Sequence, residues 1–170
     1  FLERAAKIQG IYVPAFYEPI YEEDGRIKEI QVVNKNATYP VQKQVVKDLE
    51  SLSISLDPVV PFLLPVHDRI HLEIFRGCTR GCRFCQAGMF YRPVRERKPE
   101  TLIAAAKAIA ESTGYDEAAL MSLSSADYSC LPELIDALQE ELKAKKVNVS
   151  LPSLRLDSFS VELAQKVQKV

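Results

Sequence analysis

Apolar positions from residue 70 onward alternate between two rhythms. RIHLEIF places Ile70, Leu72 and Ile74 at every second position, which is the period of a β-strand. EAALMSLSS is a mostly apolar run that suits a strand buried on both faces, and KVNVSLPSL returns to a strand pattern. The segments PETLIAAAKAIAESTG, LPELIDALQEELKAKK and SVELAQKVQKV carry apolar residues at helical spacing. The order β-α-β-α-β-α predicts an α/β fold with a parallel sheet.

The earlier part of the chain follows a different pattern. Residues 10–35 predict an extended stretch and a β-hairpin, because EEDGR supplies an Asp-Gly turn between two strand-like segments. Apolar residues four positions apart predict a short helix from Pro40 to about Leu49. DPVVPFLLPVHDR is rich in proline and predicts an extended connector. We therefore expect a small α+β segment with a β-hairpin over residues 1–69, ahead of the α/β part over 70–170.

Composition narrows the class of protein. The 170 residues are 47% hydrophobic and 26% charged, as in an ordinary globular protein. A formal net charge of −1 gives no reason to expect a membrane or nucleic acid as partner, and leaves nucleic acid open only as a substrate. No apolar run approaches the ~18 residues of a spanning helix, and no signal segment opens the chain. Four cysteines, three of them clustered, argue against a disulfide framework and predict a reducing, cytoplasmic setting.

The two ends predict that the chain is a piece of a longer protein. It starts at Phe1 without an initiator methionine, and it closes at Val170 inside an amphipathic helical pattern. Three βα units are also too few to close an eight-fold barrel, so we expect any barrel formed here to be open.

The segment RGCTRGCRFCQAG carries the most specific chemistry. Cys78, Cys82 and Cys85 have the spacing C-x3-C-x2-C, and a glycine directly precedes each of the first two. Thiolates this close together can ligate neighbouring metals of one compact cluster. A zinc site would pair two C-x2-C knuckles or add histidines, and a redox C-x2-C pair would leave Cys78 unexplained. A [4Fe–4S] cluster on three thiolates would leave one iron open for a small chelating molecule. On the residues alone, these interpretations stay open.

At this point the chain resembles the radical SAM superfamily. The signature of that family is a C-x3-C-x-aromatic-C loop after the first strand of an (α/β)6 barrel, and Phe84 stands at the aromatic position. The resemblance implies that Cys78, Cys82 and Cys85 hold a [4Fe–4S] cluster whose open iron is chelated by S-adenosylmethionine (SAM). The reduced cluster would cleave SAM to methionine and a 5′-deoxyadenosyl radical, which abstracts hydrogen from a substrate. An electron donor such as flavodoxin or ferredoxin is implied as a partner. The alternative hypothesis is a zinc-stabilised binding module without catalysis.

The likeness extends over most of the chain. GIYVP, VHDRIHLEIFRGCTRGCRFCQAGMFYRPVRERKPETL and SLPSLRLDSF resemble a radical SAM group in which the barrel usually follows a cobalamin-binding-like domain. This group is distantly related to the methylthiotransferases. The likeness implies that residues 70–170 are the first three βα units of an open (α/β)6 partial TIM barrel. The other half of the barrel, flanking domains and cobalamin would belong to the full-length protein. We therefore expect weak or absent turnover from this chain alone.

The resemblance also points to polar residues beyond the cysteine loop. The family places the amino group of SAM against a Gly-Gly-Glu motif after the second strand. The matching residues here are Ser124, Ser125 and Asp127, a departure that leaves the contacting atom open. Arg155, after the third strand, would meet the carboxylate of SAM or the substrate. Each of these four side chains has a plainer interpretation as part of a turn, a helix cap or an ion pair. Cys130 is interpreted as a small buried residue near the start of a helix.

Overall fold

The computed structural model describes residues 1–158 and 160–167. The chain divides into two compact units, Phe1–Val46 and Lys47–Val170. Within the described ranges, no helix is long and apolar enough to cross a membrane.

The first unit contains the predicted hairpin. A short helix, α1 (Leu2–Ala5), precedes the antiparallel strands β1 (Tyr17–Tyr21) and β2 (Ile27–Val32). Gly25 in the connecting turn has a φ of 82°, which glycine adopts without strain. Val13, Phe16 and Tyr17 form a small buried cluster against which Ile30 of β2 packs, so the unit has its own hydrophobic core.

The predicted helix from Pro40 to Leu49 is wrong. Residues 41–46 have no regular structure, and only a single 3-10 turn forms, at Leu49–Ser51. Val41 packs against the core of the first unit, whereas Leu49 is fully buried in the second. These two apolar positions, eight residues apart, pack in different units, so their spacing does not mark one helical face.

The second unit is built around a parallel sheet with helical crossovers, as predicted. Its elements follow in the order β3 (Ile70–Glu73), β4 (Phe75–Arg76), α2 (Ala87–Phe90), β5 (Arg95–Glu96), α3 (Pro99–Thr113), β6 (Glu117–Met121), α4 (Leu131–Leu142), β7 (Asn148–Ser150) and α5 (Val161–Val167). Strands β3, β6 and β7 lie side by side in that order, all parallel, with Ile70 opposite Ala118 and Ala118 opposite Val149. Their carboxyl ends consequently meet at one edge of the sheet.

One face of this sheet packs against α3 and α4 to form the main core. Pro99 opens α3 with a φ suited to the first helical turn, and Gly114 ends it in the left-handed region at a φ of 73°. The fully buried aliphatic side chains of this core come from both strands and helices: Ile70, Leu72, Leu102, Leu120, Leu134, Ile135, Leu138 and Leu142. This core holds β3, β6 and β7 in register and so positions the edge formed by their carboxyl ends.

The segment that begins at Lys47 is fastened to the same unit by a buried arginine. Arg97 is only 5% exposed, and its Nη1 donates to the carbonyl oxygens of Leu49 and Leu52, at 2.8 and 3.0 Å. The carboxylate of Glu50 accepts hydrogen bonds from the Lys98 amide and the Thr101 hydroxyl at the start of α3. Residues 47–52 are therefore part of the structure that supports the sheet.

Candidate metal centre

The two chain segments at the base of the cysteine loop lie close together. Strands β4 and β5 pair antiparallel, with Phe75 opposite Glu96, and close the loop at its base. Gly77 has a φ of 103°, and a Cβ there would lie 2.6 Å from the carbonyl oxygens of both Tyr91 and Pro93. Only glycine fits between these backbone atoms. The residue directly before Cys78 is thus fixed by the close approach of two chain segments.

All three thiols are free and half-buried within this loop. The Arg80 amide lies 3.5 Å from Cys78 Sγ, and the Cys85 amide donates to the Cys82 carbonyl at 3.0 Å. Across the described residues, no three histidine, cysteine or acidic side chains converge closely enough to hold a single metal ion. The three predicted ligands lie within eight consecutive residues of this loop.

Arg155 reaches back to the cysteine loop from beyond β7. Its Nε and Nη2 donate to the two carboxylate oxygens of Asp157, at 2.9 and 2.7 Å. Its Nη1 donates to Cys82 Sγ at 2.7 Å. Hydrogen bonds to Asp157, and secondly to Cys82, raise the pKa of the guanidinium above its ordinary value. Arg155 therefore presents a fixed positive charge to one of the thiols.

The serines after β6 are buried and hold the turn in place. Ser125 is fully buried, and its hydroxyl donates to the carbonyl of Leu120 at 2.9 Å. Its amide donates to the Ser153 carbonyl at 2.8 Å, which joins this turn to the segment after β7. Ser124 is 1% exposed, and its hydroxyl has no hydrogen bond of good geometry within the described residues. The Ser125 side chain therefore helps to hold this turn against β6.

Asp127 is paired with an arginine from the cysteine loop. Arg80 Nε donates to Asp127 Oδ2 at 2.8 Å, and Nη2 of the same guanidinium contacts Oδ1. The Arg80 guanidinium holds the pKa of Asp127 below its ordinary value. Sequence reasoning missed this pair, because its members are 47 residues apart.

The remaining predicted residues lie outside these contacts. Phe84 is 93% exposed, so its ring packs against little of the described chain. Cys130 lies at the start of α4 and packs partly against the main core, in line with a structural role. Asp157, which orients Arg155, was also missed, although its position two residues after an arginine in a loop is a signal for such a pair.

Comparison with known proteins identifies the family. The model of the Radical SAM superfamily matches residues 72–170, from the first parallel strand onward. The chain belongs to the radical SAM superfamily. Over 92 residues it is also 37% identical to the uncharacterized protein MJ0966 of Methanocaldococcus jannaschii. That match covers 54% of this radical SAM chain and 20% of the relative, so the chain spans about a fifth of the relative's length.

Membership of the radical SAM superfamily implies a [4Fe–4S] cluster and SAM, and the donor set of this chain fits both. Three free thiols occupy one loop directly after the first parallel strand. The guanidinium of Arg155 donates to Cys82 Sγ and brings positive charge to this thiol, which favours a thiolate and an anionic cluster. The backbone amide of Arg80 contacts Cys78 Sγ. Polar groups of the two following loops lie at the same edge of the sheet.

Proposed function

We propose that this chain is the cluster-binding part of a radical SAM enzyme, with Cys78, Cys82 and Cys85 as the three protein ligands of a [4Fe–4S] cluster. The observation that carries the proposal is the placement of three free thiols in one loop, directly after the first strand of the parallel sheet. An iron left without a protein ligand would be open to SAM. When bound, the cluster and SAM supply reductive cleavage of a sulfonium and hydrogen abstraction from a substrate.

The architecture belongs to the same proposal. We propose that residues 70–170 form the first three βα units of an open (α/β)6 barrel, and the three parallel strands in consecutive order, packed against α3 and α4, support this. In such a barrel the loops after the strands face the substrate, and here those loops carry the cysteines, the Ser124–Asp127 turn and Arg155.

Asp127 and Arg155 are the residues we propose for the amino and carboxylate groups of SAM. A carboxylate has about four lone-pair sites, and Asp127 uses one on each oxygen for Arg80. A guanidinium has five N–H donors, and Arg155 directs three of them to Asp157 and Cys82. Both side chains therefore keep hydrogen-bonding capacity for a zwitterionic ligand.

Anaerobic reconstitution with iron and sulfide tests the proposal. We expect a brown protein with about four irons and four sulfides per chain. Single replacement of Cys78, Cys82 or Cys85 by alanine should abolish the colour. Cys130→Ala is the matched control and should keep it, because this thiol lies at the start of a helix and packs partly against the core. A protein that stays colourless, or that binds zinc alone, would refute the assignment and favour the zinc-stabilised module.

The remaining parts of the proposal come from the sequence resemblance. We propose an electron donor such as flavodoxin or ferredoxin, and a substrate that contacts the other half of the barrel. Cobalamin and the relation to methylthiotransferases stay predictions for the full-length protein.

A further inference from the structure

A bidentate ion pair joins the cysteine loop to the loop that follows β6, the second strand of the parallel sheet. Arg80 and Asp127 meet side on, with two nitrogens of the guanidinium facing the two oxygens of the carboxylate. Their side chains are 39% and 21% exposed, so the pair is partly screened by solvent. A bidentate pair fixes orientation as well as distance, because both groups are planar.

The position of Arg80 in the loop gives this pair its effect. Arg80 lies midway between Cys78 and Cys82, and its amide contacts Cys78 Sγ. A constraint on Arg80 therefore acts on both neighbouring thiols.

The other end of the pair is anchored in the fold. Asp127 closes a 3-10 turn, in which its amide donates to the Ser124 carbonyl at 2.9 Å. The Ser125 hydroxyl fastens this turn to Leu120 of β6. Asp127 thus moves with the sheet, whereas Arg80 belongs to the loop.

A second arginine of the loop provides an internal comparison. Arg83 lies between Cys82 and Cys85, as Arg80 lies between Cys78 and Cys82. Its side chain is exposed and makes no hydrogen bond or ion pair with residues 1–158 or 160–167. The chain therefore offers one tethered and one untethered arginine, each between two cysteines of the same loop.

We propose that the Arg80–Asp127 pair is a tether that positions the cysteine loop over the carboxyl edge of the sheet before any cluster binds. This inference rests on the proposed function in one respect, namely that the cysteine loop binds a cluster. In the tether, Arg80 and Asp127 act as positioning residues, since this ion pair acts through Cys78 and Cys82; the contact of Asp127 with SAM is a separate role.

Hydrogen–deuterium exchange on the cluster-free chain tests the tether. We expect Arg80→Met and Asp127→Asn each to speed exchange of the loop amides 78–85 by about fivefold, the effect of losing a partly exposed ion pair. Arg83→Met should leave the exchange unchanged. Arg80→Lys should restore part of the protection, and the exchanged pair R80D/D127R should restore more than either single change. Salt near 1 M should speed exchange in the wild-type chain but not in R80M, because it screens exposed charges.

Several results would overturn the tether. Equal exchange rates of the loop amides in R80M and R83M would do so. A wild-type exchange rate in D127N would also overturn it, as would an R80D/D127R variant whose loop exchanges as fast as in the single variants. Amides of β6 and α4 report whether each variant is folded. Iron content after reconstitution is measured separately on the same proteins. A chain that takes up no iron would refute the proposed function and leave the exchange result standing.

Discussion

At the scale of single residues, Gly77 is the most constrained position of the site. Replacement by alanine would drive a Cβ into two backbone carbonyls at 2.6 Å and require a φ of 103°. Such strain costs about 1–3 kcal/mol, so we expect roughly tenfold lower iron incorporation in Gly77→Ala. Measurement of iron and sulfide per chain under limiting reconstitution checks this.

Gly81→Ala is the control for that substitution. Gly81 also has a positive φ, 65°, but the nearest atom to a Cβ is the end of the Arg92 side chain, at 3.8 Å. This conformation costs a non-glycine residue about 1–2 kcal/mol without a clash. Iron incorporation should therefore fall less than in Gly77→Ala. If the two variants behave alike, the close approach at Gly77 is not the cause.

Arg155 provides a prediction about the redox properties of the site. A hydrogen bond and a positive charge on a ligand sulfur favour the reduced form of a cluster. Arg155→Met should therefore lower the midpoint potential of the loaded protein, on the order of 60 mV for about 1.4 kcal/mol in a one-electron couple. Redox titration followed by electron paramagnetic resonance measures it.

Two variants separate the sulfur contact from charge alone. Arg155→Lys keeps the charge but not the planar fork that Asp157 orients. Its potential should lie between those of the wild type and R155M. Arg83→Met removes a loop arginine without such a contact and should leave the potential near the wild-type value. A potential unchanged in R155M would contradict the contact.

The thiols could be found from sequence because their spacing is local, whereas their partners could not. Cys78, Cys82 and Cys85 lie within eight consecutive positions. The partner of Arg80 is 47 residues away, and Arg155 is 73 residues from Cys82. Those contacts exist only because parallel strands bring their carboxyl ends together, and a single sequence does not say which side chains then meet.

At the scale of secondary structure elements, α3 depends on a residue far from it in sequence. Lys98 is the N-cap residue of α3, but its side chain makes no capping hydrogen bond. The carboxylate of Glu50 instead accepts a hydrogen bond from the Lys98 amide at 3.0 Å. We expect Glu50→Ala to lower the free energy of unfolding by about 1 kcal/mol, as for the loss of a helix cap. Urea denaturation followed by circular dichroism measures it.

The control for this cap lies in the helix itself. Glu100 is an exposed acid in the first turn of α3. Glu100→Ala should cost only a few tenths of a kcal/mol, through the helix dipole. Equal effects of the two substitutions would mean that the Glu50 contact contributes nothing specific.

Helices and strands could be predicted from local sequence patterns where all the apolar residues of a pattern pack into the same core. The predicted helices and strands after residue 70 all contribute side chains to a single core, so their periodicity survives in the fold. The apolar spacing of Val41 and Leu49 failed as a helix signal because the chain changes from one unit to the other between them. The spacing of apolar residues predicts a helix only if they all face the same partner surface, whereas Val41 and Leu49 pack in two different units.

At the scale of the whole molecule, stability should fall at acid pH. A hydrogen bond from Ser150, and then Arg69, lowers the pKa of Glu117 below its ordinary 4.5, and Arg76 does the same for Glu73. A group with a lowered pKa in the folded state stabilises the fold above its ordinary pKa. That contribution is lost as pH falls below 4.5 and through the folded-state value. Thermal unfolding between about pH 6 and pH 2 should show a falling midpoint.

Glu117→Gln isolates one part of this dependence. The variant should be less stable than the wild type near neutral pH, and the difference should shrink as the pH approaches 2. Glu133→Gln, at an exposed position of α4, is the control and should leave the acid limb of the curve unchanged. A difference that stays constant with pH would show that ionisation of Glu117 is not involved.

The buried guanidinium of Arg97 sets the minimum length of an independently folding cluster domain. The match to the family starts at residue 72, yet Arg97 binds the carbonyls of Leu49 and Leu52. A polypeptide shortened to residue 70 would leave a charged group inside the protein without those acceptors, a costly arrangement. One that starts at Lys47 keeps them. For domain excision or grafting, the workable boundary therefore lies more than twenty residues before the first parallel strand, at a place set by the contacts of Arg97 rather than by the limits of the family match.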